Sequence, residues 1–181
     1  PRNPIARWFF ESEAEWLIRN SVAPVAVLRT NTPWPPKRIL CLSDLSIASH
    51  NALEWATKMA QPLNAELLVM NADQPKPTMA RTIGIQDWTQ LDQKMEAESR
   101  RIQGNLRHFV GQAHTHHPNT RTAIRFGQLK QDIANFVEDH KVDLVVVGHD
   151  GPSGASASLN VPTTLQVLRS IRCSLLSVPH L

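Results

Sequence analysis

The stretch KRILCLSDLSIASHNALEWATKMAQPLNAELLVM, residues 37–70, decides the fold. Ile39, Leu40, Cys41 and Leu42 form an unbroken apolar run, the pattern of a strand covered on both faces. It stops at Ser43-Asp44. Ser46 and Ser49 are polar starters suited to a first helical turn, and Ala52, Leu53, Ala56, Met59 and Ala60 then recur at helical spacing. Residues 67–70, Leu-Leu-Val-Met, make a second run. A strand, an amphipathic helix and another buried strand in succession predict a parallel pair joined by a crossover.

The same rhythm continues outward. Pro75 and Pro77 end the second strand in a loop, because neither can continue a ladder or a helix interior. Trp88, Leu91, Met95, Ile102, Leu106 and Phe109 trace one face of a long helix, with Gly104 and Gly111 as its weak points. Residues 122–126 read as a third strand, and Leu129, Ile133, Phe136 and Val137 stripe the next helix. Residues 143–147 are a fourth strand. The small-residue loop GHDGPSGASASLN leads into VPTTLQVLRS, where Pro162 suits a first helical turn, and residues 174–178 close as a fifth strand. The expected fold class is α/β: a doubly wound, five-stranded parallel sheet with helices on both faces.

Composition narrows the function classes. The chain has 181 residues, 41% hydrophobic and 19% charged, which suits a folded globular protein and excludes disorder as the main state. No apolar run exceeds four residues, whereas a membrane-spanning helix needs about 20, so no membrane partner is expected. The formal charge is +3, and the basic pairs Lys37-Arg38 and Arg100-Arg101 are scattered, so no nucleic-acid partner is expected either. Cys41 and Cys173 lie in or beside apolar segments, as reduced, buried thiols do, which makes the cytoplasm the expected compartment. The opening PRNPIARWFFESEAEW mixes charges into its apolar residues and is not a secretory signal.

The first 36 residues fall outside the five-strand count. Setting 11–30 against 161–180, an offset of 150, pairs Leu17 with Val167, Ile18 with Leu168, Arg19 with Arg169, Val25 with Leu175 and Leu28 with Val178. Both segments read as a closing helix followed by a strand. Residues 1–32 are therefore read as the tail of a preceding repeat, against the alternative of a private amphipathic extension. Residues 33–36 form a proline-rich, semi-rigid linker, and 37–181 the main domain.

Three segments, residues 37–70, RFGQLKQDIANFVEDHKVDLVVVGHDG and TTLQVLRSIRCSLLSVP, together resemble the universal stress protein family. The resemblance covers about 37–181, with 73–118 poorly matched. It implies a sheet whose cleft binds ATP or AMP in some members, with an Asp after the first strand and a Gly-x2-Gly-x9-Gly-Ser/Thr signature after the fourth. The implied binding residues at the first strand are Leu42, Ser43 and Asp44. Those at the fourth strand and beyond are Val147, Gly148, His149, Gly151, Ser153 and Thr163. Glycines there let backbone N–H groups approach phosphate, although a flexible strand-to-helix loop would use them equally well. Asp44 would meet the adenosine moiety or serve as a turn residue. The second half of the signature is missing: Val161-Pro162 stands in place of Gly-Ser/Thr, and Asp150 places a carboxylate beside the phosphate position. In the partial repeat, Pro1 and Glu11 replace the second and third glycines and Ser12 alone survives, so no nucleotide site is expected there.

Other chemistries are weaker. His114, His116 and His117 could ligate zinc or nickel, but a solvated helix-to-strand connection is the better reading and no metal is expected. His149 reads as a polar loop side chain, or else as a phosphate donor or a base. No Gly-x-Ser-x-Gly elbow, Gly-x4-Gly-Lys-Ser/Thr loop or His-Glu-x2-His motif is present, so no enzyme is expected. Two functions remain. One is a stress-response protein with a partly degraded adenine-nucleotide cleft. The other is a degenerate scaffold acting through its C-terminal strand, as a homodimer or as an intramolecular pseudo-dimer with residues 23–28.

Overall fold

A computed structural model describes residues 12–71, 88–112, 117–124, 129–149 and 161–180. In chain order the elements are α1 (Glu13–Asn20), β1 (Val25–Val27), β2 (Arg38–Ser43), α2 (Ile47–Leu63), β3 (Glu66–Asn71), α3 (Trp88–Gly111), β4 (Thr120–Ile124), α4 (Leu129–Asp139), β5 (Leu144–His149), α5 (Val161–Ser170) and β6 (Ser174–Pro179). They build one six-stranded sheet of order β1-β6-β5-β2-β3-β4. Five strands run parallel, and β1 joins the β6 edge antiparallel.

Alternation along the buried strands sorts the core into two layers. Leu40, Leu42, Val145 and Val147 face one side, where Ile18 of α1, Ile133 and Phe136 of α4 and Leu165 and Leu168 of α5 cover them. Ile39, Cys41, Leu144 and Val146 face the other, under Ala52, Leu53 and Ala56 of α2 and Leu106 and Phe109 of α3. The small residues predicted for the helix after the first strand are the ones that let α2 lie close on the sheet. Ser46 is its N-cap, accepting from the Ser49 N–H at 3.2 Å, and Asn64 ends it in a left-handed conformation, φ 49°.

Several boundaries move. The third strand begins at Thr120, two residues before the expected start, because Thr120 and Arg121 already pair with Leu67 and Leu68; Arg125 and Phe126 lie outside the described residues. The fourth strand runs on through Gly148 and His149, which pair with Val178 and Pro179.

The N-terminal unit is fastened to the domain. Ser12 and Glu15 form a reciprocal capping box at the start of α1, and the Glu15 carboxylate takes two hydrogen bonds from Arg169, at 2.7 and 3.0 Å. The Arg169 hydrogen bond is the main reason the Glu15 carboxyl titrates below the ordinary carboxylate range. The chain is held on both sides of the proline-rich connection. Arg29 N–H and the Thr32 hydroxyl bond to Ser174 Oγ before it, and Asp143 accepts the N–H groups of Lys37 and Arg38 after it.

Gly104 sits exposed in the middle of α3 with open space where a Cβ would go. Gly104→Ala is expected to raise stability by about 0.5–1 kcal/mol through helix propensity alone, readable as a higher urea midpoint at unchanged slope.

Candidate functional site at the carboxyl ends of β2 and β5

β2 and β5 are parallel neighbours, with Leu42 opposite Val147. From β2 the chain leaves through α2 towards β3 on one side, and from β5 it leaves towards α5 and β6 on the other. The two departures make the ends of β2 and β5 a topological switch point, the place where open α/β sheets bind ligands. Ser43-Asp44 and Gly148-His149 follow the paired residues at that switch point.

The turn leaving β2 is held by its own polar groups. Ser43 Oγ accepts the Leu45 N–H at 3.0 Å and lies 3.2 Å from Ser49 Oγ. Asp44 Oδ1 accepts the Ser46 N–H at 3.0 Å, so this carboxylate does serve as a turn residue. Between them Leu45 sits at φ 66°, a left-handed conformation that a branched side chain adopts only when its surroundings impose it.

Gly148 has a role the sequence reading did not give it. It is a buried strand residue, and a Cβ built on it would overlap the carbonyl of Ala48 and lie 3.0 Å from the Ser49 nitrogen. The missing side chain is what admits the first turn of α2 against β5, the helix-to-strand packing function of a glycine. His149 is likewise not a loop residue: it ends β5, is 1% exposed, and its carbonyl accepts the His180 N–H at 2.8 Å. Leu42 and Val147 are fully buried core residues. Thr163 lies in the first turn of α5, whose start at Val161 agrees with Pro162 in an initial turn. Gly151 and Ser153 lie outside the described residues.

One polar group was missed. Ser177, paired with Val147 in the β5–β6 ladder, is fully buried, and among the described residues its Oγ has no hydrogen-bond partner. Its only sequence signal is the break it makes in the apolar run SLLSVP. α5 starts with Val161-Pro162, and Pro162 has no backbone N–H to donate.

Away from the switch point, His117 is buried rather than solvated, its Nε2 2.6 Å from the Ala65 carbonyl oxygen, which pins the α3–β4 connection to the α2–β3 turn; His114 and His116 lie outside the described residues. Among the described residues no cluster of three His, Cys, Asp or Glu could hold a metal, and no helix is long and apolar enough to cross a membrane. Burial pushes the Cys41 and Cys173 thiols up to about 12, which makes them poor nucleophiles. A cavity of about 330 Å³ lies at the opposite pole, among Arg38, Glu66, Arg121, Phe136 and His140. Both arginines are spent on Glu66, at 3.2 and 3.3 Å, and we assign the cavity no ligand.

Comparison with known proteins agrees with this architecture. Universal stress protein A homolog 1 of Coxiella burnetii is 28% identical over 143 residues, which cover 78% of this chain and 95% of that one. A universal stress protein solved in complex with cAMP superposes with a TM-score of 0.55 at 20% identity, over 79% of this chain and 97% of its own. A protein of unknown function from Pseudomonas aeruginosa superposes with a TM-score of 0.64 at 21% identity, over 99% of this chain but 60% of its own length. The profile of the universal stress protein family matches residues 35–179. With the five parallel strands, their crossovers and the switch point between β2 and β5 all falling inside that span, the chain belongs to the universal stress protein family.

Proposed function

We propose that this protein is a non-catalytic stress-response module whose crevice between β2 and β5 binds an adenine mononucleotide weakly. The observation that carries the reading is the in-register adjacency of Leu42 and Val147, which brings the Asp44 turn and the end of β5 to one switch point. Family membership and a structural neighbour solved with cAMP support the ligand class. The Val161-Pro162 start of α5 argues for AMP or cAMP over ATP.

Calorimetric titration tests it. AMP is expected to bind with Kd of about 0.1–1 mM, some 4–5.5 kcal/mol. Asp44→Asn keeps the acceptor that Ser46 N–H uses and removes the charge, so it should weaken AMP while leaving the fold intact. Flat heats with AMP, cAMP and ATP alike would overturn the proposal.

A second reading has its own observation. β1 occupies the outer edge of β6, with α1 packed beside α5, so the chain covers the β6 edge itself. A scaffold that acts through a paired domain would be built this way, with residues 1–32 as the closing helix and strand of a preceding repeat.

A further inference from the structure

Among the described residues other than glycine, Leu45, Asn64 and Lys141 have positive φ. Asn64 and Lys141 follow helices. The amide after Asn64 bonds back to the Ala60 carbonyl and the amide after Lys141 to that of Val137, the closure in which a left-handed residue is ordinary. Leu45 has no such setting. It stands before α2, between Asp44 and the N-cap Ser46, at φ 66°. Glycine or asparagine would make this bend at little cost, whereas a leucine makes it against its own backbone preference.

Two restraints hold it there. The first is a buried polar web of Ser43, Ser49 and Asn71, from the ends of β2 and β3 and the first turn of α2. Asn71 Nδ2 donates to the Ser43 carbonyl at 3.4 Å. The Ser49 hydroxyl donates to the Ser46 carbonyl at 2.9 Å, so the Ser43 hydroxyl, 3.2 Å from Ser49 Oγ, donates to that oxygen and accepts the Leu45 N–H. The second restraint is the Leu45 side chain, which is half-buried and packs on the core layer of Ile39, Cys41, Leu53 and Val146. Hydrogen bonds alone would hold a glycine equally well. The apolar anchor is what a leucine adds.

We infer that Leu45 is a positioning residue for nucleotide binding: its anchored left-handed turn presets the Asp44 carboxylate, so that AMP need not order the turn on arrival. The inference rests on the reading of the β2–β5 switch point as the AMP site. Ordering one backbone residue on binding weakens affinity by about five- to thirtyfold, a loss that a weak mononucleotide site has no margin to absorb. Asp44 Oδ1 is already fixed on the Ser46 N–H at 3.0 Å. Strain that the surroundings overdetermine, kept beside a ligand position, is a recognised form of preorganisation.

The test separates anchoring from stability. Leu45→Gly and Leu45→Asn both accept the left-handed conformation and remove the apolar anchor, so both are expected to fold. AMP affinity is read from amide chemical shifts, beside thermal melts and the hydrogen-exchange rate of the Ser46 amide. Asp44→Asn is the reference for a lost nucleotide contact. The expected result is AMP binding weakened by about fivefold or more in both Leu45 variants, Ser46 exchange faster by about the same factor, and Tm within about 5 °C of the unaltered chain. Unchanged AMP affinity in the Leu45 variants, where Asp44→Asn weakens it, would overturn the positioning role and leave the nucleotide reading standing. No AMP binding by the unaltered chain would overturn both. A Tm loss above about 10 °C in both Leu45 variants would make Leu45 a packing residue and overturn the positioning role as well.

Discussion

Gly148→Ala is expected to destabilise the protein by about 2–4 kcal/mol, lowering Tm by about 10 °C. The size follows from what the new methyl would meet. The obstacle is the backbone of Ala48 and Ser49, not the end of a flexible side chain, so no rotamer change relieves it. Nor can either element retreat cheaply. β5 is held by ladders on both sides, to β2 and to β6, and α2 buries Ala48, Ala52, Leu53 and Ala56 against the sheet. The helix must lift, and the lost packing sets the cost. A thermal melt of the variant without ligand decides the matter. If Gly148 served only to let a phosphate approach, alanine would leave Tm within about 1 °C and change affinity alone.

Ile18→Ala is expected to cost about 2–4 kcal/mol while unfolding remains a single transition. Ile18 belongs to the N-terminal helix, yet it is 1% exposed and joins the same core cluster as Leu40, Val145, Leu165 and Leu175, with Val25 and Val27 packed against it. Removing its side chain leaves a cavity in the main core rather than trimming an appendage. Urea denaturation checks this through a lower midpoint at the same slope. A loss below about 0.5 kcal/mol, or a separate early transition for α1 and β1, would show that the unit is only loosely attached.

The buried parallel strands were readable in the sequence because they are unbroken apolar runs: Ile39 to Leu42 and Leu144 to Val147 announce themselves. It also gave the length of the helix–strand unit in residues 11–30, since Ile18 and Leu168, or Val25 and Leu175, keep matching hydropathy at a constant offset. What it did not disclose was the role of Gly148. A glycine after a strand reads alike whether its missing side chain admits a phosphate, a turn or a neighbouring helix, and only the position of Ala48 separates the three. His149 misled for a related reason: a polar residue beside glycine looks like loop, but its ladder to Pro179 and its burial depend on where β6 ends. Ser177 carries no signal beyond a single polar residue in an apolar strand, because the lack of a partner is a property of three-dimensional neighbours.

The central claim is that the crevice where β2 and β5 end side by side is the place that meets a nucleotide. Backbone amide chemical shifts recorded during an AMP titration test it most directly. The account predicts saturable shifts concentrated at Ser43 to Ser46 and at Gly148 and His149, and much reduced in Asp44→Asn. Shifts centred instead on Arg38, Arg121 and His140 at the opposite pole, or none at millimolar AMP, would contradict it.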